Sequence, residues 1–138
     1  MHKSIELFAG LQFLVIGLSH LFQPMAWVEF FALLRSKGRA GVFFEAFLLL
    51  GFGGLIVAFH NVWSGLPTVL TVVGWLQVLK GLVRFTLPQL GLRIYGRVRP
   101  ERAWEFRWAG AFSLVLGVLF IYLAFERPAS LNPPYWVQ

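Results

Sequence analysis

Four apolar runs, Ile5 to Phe22, Ala40 to Phe59, Thr68 to Leu87 and Ala109 to Phe125, constrain this chain more than any other feature. They hold 18, 20, 20 and 17 residues. At about 1.5 Å per residue each comes near the roughly 30 Å of a bilayer's hydrocarbon core. The chain is 58% apolar and only 13% charged, with mean hydropathy +0.71, outside the range of soluble domains. The expected fold is all-α: one integral membrane domain over 1–138, a four-helix transmembrane bundle with one or two interfacial amphipathic helices. The start, MHKSIELFAGLQFLVIGL, has the basic lead and apolar middle of a signal peptide, but no small-x-small cleavage site follows it. It is expected to be retained as the first span.

The connections differ in kind. Pro24 stops the first run, and Pro24 to Gly38 is too short and too charged to cross a membrane. Its apolar residues, with Trp27, Arg35 and Lys37, suit a helix lying in the headgroup plane, the alternative being an ordinary loop. HNVWSGL carries no acid, Lys or Arg and ends at Pro67, a favourable start for the third span, so spans two and three form a tight hairpin. From Pro88 to Arg107 the sequence turns basic and broken, and Pro100 is expected to open a short amphipathic helix leading into span four. The tail RPASLNPPYWVQ is proline-rich and non-helical. Beyond the fact that both odd-numbered connections are basic and aromatic, no internal repeat is read.

Charge orients the spans. Arg35, Lys37 and Arg39 lie between spans one and two, and Arg93, Arg97, Arg99, Arg102 and Arg107 between three and four, eight of twelve basic residues. The opposite side holds Lys3 and Arg127. The positive-inside rule then leaves both termini and HNVWSGL on the non-cytoplasmic side of a bacterial inner membrane. Trp63, Tyr122, Tyr135 and Trp136 are expected to form the outer aromatic belt, and Trp27, Tyr95, Trp104 and Trp108 the inner one.

The polar residues inside the spans are the candidate sites. Gln77, Lys80 and Arg84 share a stripe of span three, and Glu45 lies at matching depth on antiparallel span two, with His20 at the same end of span one. This cluster reads as an ion pair, as basic side chains snorkelling to headgroups, or as an anion or proton path. Near the outer face stand Glu6, His60, Asn61 and Trp63, with His60 and Asn61 capping span two or pinning the turn. Glu6, Gly10, Phe13, Gly17 and His20 fall on one face of span one, which should meet helices rather than lipid. Gly51, Gly53 and Gly54 kink span two or admit another backbone.

Several chemistries drop out. The absence of cysteine removes disulfides, thiolate metal sites and Cys-x-x-Cys redox chemistry. No histidine pair has metal-ligand spacing, no phosphate-loop or dinucleotide motif is present, and no catalytic residue, metal or cofactor is assigned. A net charge of +6 without a basic helix face or stacking aromatics points to anionic lipid headgroups rather than nucleic acid.

His60 to Trp63 (HNVW), Gly74-Trp75, Lys80-Gly81 and Pro88 resemble, over the central half of the chain, a group of small bacterial four-helix inner-membrane proteins. GLQFLVIGLSHLFQP is more loosely similar to DoxX-like proteins. The first resemblance implies fold and location without an activity. The second links to quinone or sulfur redox chemistry through fold analogy alone. The leading expectation is a non-enzymatic accessory or scaffold protein that packs with other membrane subunits or itself. The alternatives are a transporter or channel component for a small anion or lipid-like molecule, working through Glu45, Gln77, Lys80 and Arg84, and a quinone or haem subunit using His20 or His60.

Overall fold

A computed structural model describes residues 2–126, so Arg127, Tyr135 and Trp136 lie outside the described residues. The described residues form six α-helices: α1 (His2–Phe22), α2 (Pro24–Ser36), α3 (Arg39–Phe59), α4 (Thr68–Thr86), α5 (Pro88–Tyr95) and α6 (Trp104–Glu126). A 3-10 turn at Pro100–Arg102 precedes α6, and the described residues contain no strand. Four stretches are long and apolar enough to cross a membrane: His2–Phe22, Arg39–Phe59, Thr68–Thr86 and Pro100–Glu126.

Local chemistry sets the breaks. Pro24 and Pro88 sit in the first turns of α2 and α5, where a missing N–H costs nothing and the fixed φ suits a helix. Gly38 (φ 59) turns the chain from α2 into α3, and Gly65 (φ 66) lies in the turn before α4, conformations that only glycine adopts without strain. Pro67 caps α4, its carbonyl accepting from Thr71 N at 3.4 Å.

The expected helix opened by Pro100 is corrected. The short helix begins instead at Pro88, and Pro100 starts one 3-10 turn that runs into an α6 several residues longer than the fourth apolar run. Arg102 Nε donates to Glu105 Oε1 at 2.6 Å across that join.

The helices associate as two antiparallel pairs, α1 with α6 and α3 with α4. Glycines let the backbones touch. A Cβ at Gly17 would lie 2.9 Å from the Gly110 carbonyl oxygen, and one at Gly10 would lie 3.0 Å from that of Gly117. In the other pair a Cβ at Gly53 would lie 2.8 Å from the Gly74 oxygen, and one at Gly81 would lie 3.1 Å from that of Ala46. Ser113 Oγ adds a hydrogen bond to the Phe13 carbonyl, 2.7 Å.

These crossings share one register. A shift of 64 residues carries Gly10 to Gly74, Gly17 to Gly81, Pro24 to Pro88, Ala46 to Gly110 and Gly53 to Gly117. It therefore maps α1–α2–α3 onto α4–α5–α6, and the α1·α6 contact onto the α4·α3 contact, as an approximate two-fold relation requires. The absence of a repeat in the sequence reading is thus corrected. Identity survives at crossings and helix starts, while most of the remaining positions differ.

Between the pairs lies a core of Ala9, Ile56, Leu70, Leu116, Phe120 and Leu123. Large apolar side chains such as Phe47, Trp75, Leu79, Phe112 and Val115 cover the outside, the inverse of a water-soluble surface.

Candidate functional site

Two buried polar clusters sit at opposite ends of the helices. At the end bearing the α3–α4 turn, Glu6 of α1, His60 at the end of α3 and Thr71 of α4 are fully buried. His60 Nε2 lies 3.0 Å from Glu6 Oε1, and its Nδ1 lies 3.2 Å from Thr71 Oγ1. Thr71 Oγ1 also accepts from Val62 N at 3.0 Å and donates to Val62 O at 2.8 Å. With the hydroxyl proton used on Val62 O, the proton between Nδ1 and Oγ1 belongs to the imidazole. The Nε2–Oε1 contact sets the imidazole directly against the carboxylate of α1. A hydrogen-bonded partner of this kind is what makes a buried acid tolerable.

The order carboxylate, imidazole, hydroxyl is that of a nucleophilic triad. Here the hydroxyl is buried and engaged by the Val62 backbone, and the series forms a clasp joining α1, α3 and α4. His60 both caps α3, its N–H bonding Ile56 O at 2.7 Å, and pins the turn. The His2 ring stands edge-on to it, centroids 5.6 Å apart. Asn61 and Trp63 stay outside the clasp: Trp63 Nε1 donates locally to Asn61 Oδ1 at 2.9 Å.

At the basic end, Glu45 of α3 meets Arg84 of α4, Nε to Oε2 3.2 Å. Tyr95 of α5 donates its hydroxyl to the same carboxylate oxygen, and the Arg84 guanidinium lies 5.6 Å from the Tyr95 ring centroid. Gly91 makes room for the arginine stem, since a Cβ there would sit 3.3 Å from Arg84 Cδ. Burial, reinforced by the hydrogen bond to Glu45 and its charge, holds the Tyr95 phenol well above its ordinary pKa despite opposition from Arg84.

The grouping read from the sequence divides. Arg84 joins Glu45, but Lys80 is exposed on α4, about 40° from Arg84 and about 60° from Gln77 at 100° per residue. Gln77 instead packs its Cβ against Gly53. His20 belongs to the other helix pair: it bonds its own Ile16 carbonyl at 2.8 Å and stacks on Trp27 with centroids 3.9 Å apart. Tyr95, expected in an aromatic belt, is 2% exposed and central to the cluster.

Sequence reasoning missed Thr71 and the role of Tyr95. Thr71 has no local pattern to mark it. Tyr95 is marked only by the 64-residue shift that makes it the counterpart of Phe31.

Two surface depressions are open. One is lined by Arg35, Arg93 and Arg97 with Gly38 and Gly96, and the other by Lys3, Ser4, Leu7, Ala124 and Phe125. Neither includes Lys80. Among the described residues no three His, Asp or Glu side chains converge as metal ligands. No family model, curated protein or solved structure matches the chain.

Proposed function

We propose that this protein is a small non-enzymatic accessory subunit, a four-helix bundle of the bacterial cytoplasmic membrane that packs laterally against another membrane protein or a second copy. The carrying observation is a glycine notch on the outer face of α3. A Cβ added at Gly51 or Gly54 would meet nothing within 4 Å, unlike one at Gly53 between them. With exposed Ala58 these residues give the small-residue spacing through which membrane helices approach closely. The equivalent positions on α6 are Val115 and Val118, 66% and 59% exposed, so only one of two related faces is notched.

Other features support this reading. The buried acids are engaged by His60, Arg84 and Tyr95, which leaves the interior built for packing. In this reading α2 and α5 lie at the cytoplasmic headgroups and both termini on the other side, which the basic residues of the two connections support.

Gly51→Leu/Gly54→Leu provides the test. Both changes point into open space, so thermal stability in detergent should stay unchanged while crosslinking and co-purification of the lateral partner are lost. A strictly monomeric wild type, with no partner captured by mild crosslinking in native membranes, would defeat the proposal.

A further inference from the structure

We infer that the cleft between the ends of α2 and α5 is a binding site for a phosphate-bearing anion. The cleft has a volume of about 670 Å³ and is lined by Arg35, Arg93 and Arg97. Among the described residues none of these three arginines has a carboxylate partner: Glu45 is held by Arg84 and Glu105 by Arg102. Three guanidiniums therefore share one space without a carboxylate among them. Exposed guanidiniums grouped this way favour an anion among them, and their forks match phosphate oxygens in pairs.

Helix dipoles offer a competing explanation. Arg35 and Arg93 stand in the last turns of α2 and α5, where free carbonyls favour a cation. Each helix end carries only about half a negative charge, however, so two ends leave roughly two positive charges over. Arg97 lies beyond the end of α5. Gly38, the N-cap residue of α3, lines the same cleft with its N–H already donated to the Arg35 carbonyl at 3.0 Å. Gly96 lines the cleft beside Arg35, and a Cβ there would make ordinary contact with its guanidinium at 3.5 Å.

Two sources supply such an anion, a phospholipid headgroup and a free phosphoryl compound. The lining favours the lipid, because apolar Leu92 stands among the arginines and offers an acyl chain a first apolar contact. The site is independent of the accessory-subunit reading, since α3's notch plays no part in it.

The test uses the full chain in detergent and native mass spectrometry with phosphatidylglycerol, phosphatidylcholine and inorganic phosphate. Wild type should bind phosphatidylglycerol in preference to phosphatidylcholine. Arg35→Gln/Arg93→Gln/Arg97→Gln should weaken that binding about tenfold or more. Lys37→Gln/Arg99→Gln/Arg107→Gln, which removes equal charge at the same end, should stay within about twofold. Displacement of the lipid by millimolar phosphate assigns the site to free phosphoryl groups, and resistance assigns it to headgroups; both uphold it. Equal weakening in the two triple variants, or no preference over phosphatidylcholine, overturns it. Should the first variant fail to fold, Gly96→Leu keeps every charge and fills the cleft, and unchanged binding there likewise overturns the site.

Discussion

Phe31 and Tyr95, equivalent residues 64 positions apart, place their rings 5.5 Å from each other where the two halves meet. Equivalent groups can touch only near the axis that relates them, so this contact marks the axis at the basic end. Away from it the halves diverge. Around Phe31 stand Trp27, Phe30 and Phe106, and His20 stacks on Trp27. Around Tyr95 stand Glu45 and Arg84. His20 is the counterpart of Arg84, and Ala109 that of Glu45. One position in the scaffold is thus filled by an aromatic stack in one half and by an ion pair in the other.

The Glu45–Arg84 pair is predicted to be coupled. Its side chains are 18% and 9% exposed, so Glu45→Gln strands a largely buried cation at a cost of about 1–3 kcal/mol, below the fully buried range. Glu45→Gln/Arg84→Met should lose at least about 1 kcal/mol less than the sum of the single changes. Lys80→Met, at an exposed position, should fall within about 0.5 kcal/mol. Unfolding in detergent measures all four, and additivity at Arg84 would show that the pair contributes nothing.

Alkaline pH should loosen the same corner. A free tyrosine titrates near pH 10, and the folded Tyr95 titrates higher because its ionised form would be buried against Glu45. The raised value means that Tyr95 adds stability throughout the range below about pH 10 and loses it as pH climbs toward the folded pKa. Tyr95→Phe should unfold with a flatter pH dependence above pH 10. Identical slopes for the two proteins would contradict the assignment.

Thr71→Val should destabilise by about 1–3 kcal/mol, since Val62 N–H and His60 Nδ1 lose their acceptor inside the protein. Thr71→Ser restores the hydroxyl and should recover most of that loss. Thermal unfolding of the two variants separates a hydrogen-bonding role from a packing role, because valine keeps the shape of threonine.

Cysteines introduced singly at Ser36 and Ser64, both exposed, report orientation in this cysteine-free chain. An impermeant thiol reagent added to intact cells should label Ser64→Cys and spare Ser36→Cys. The reverse pattern would invert the topology.

Four apolar runs made the long helices legible, because span length and hydropathy are properties of contiguous sequence. Charge depth brought Glu45 and Arg84 together for the same reason: both lie a similar number of residues from one end of neighbouring antiparallel helices. The reading failed where side-chain direction mattered. Lys80 shares a stripe with Arg84 only within a wide arc, and packing turned one inward and the other out. Glu6 and His60 were each placed near the same face, but their pairing depends on how α1 lies beside α3, which no local pattern encodes. Pro88 reads locally as a break after the third span, and only its equivalence to Pro24 marks it as the start of a helix.

The pairing of α1 with α6 imposes an order on assembly. During synthesis α3 and α4 emerge close together and can close their glycine contact early, joined only by a short turn. The first span enters the membrane with Glu6 and the Gly10–Gly17 face uncovered. His60 must emerge before the acid has its imidazole, and Gly110 and Gly117 must follow before the face is sealed. That delay spans roughly a hundred residues of translation, or about 5–20 s at typical elongation rates. Through this interval the first helix depends on lipid, or on insertion machinery that tolerates an exposed carboxyl group, so the step most vulnerable to error is the wait of the first helix for the last.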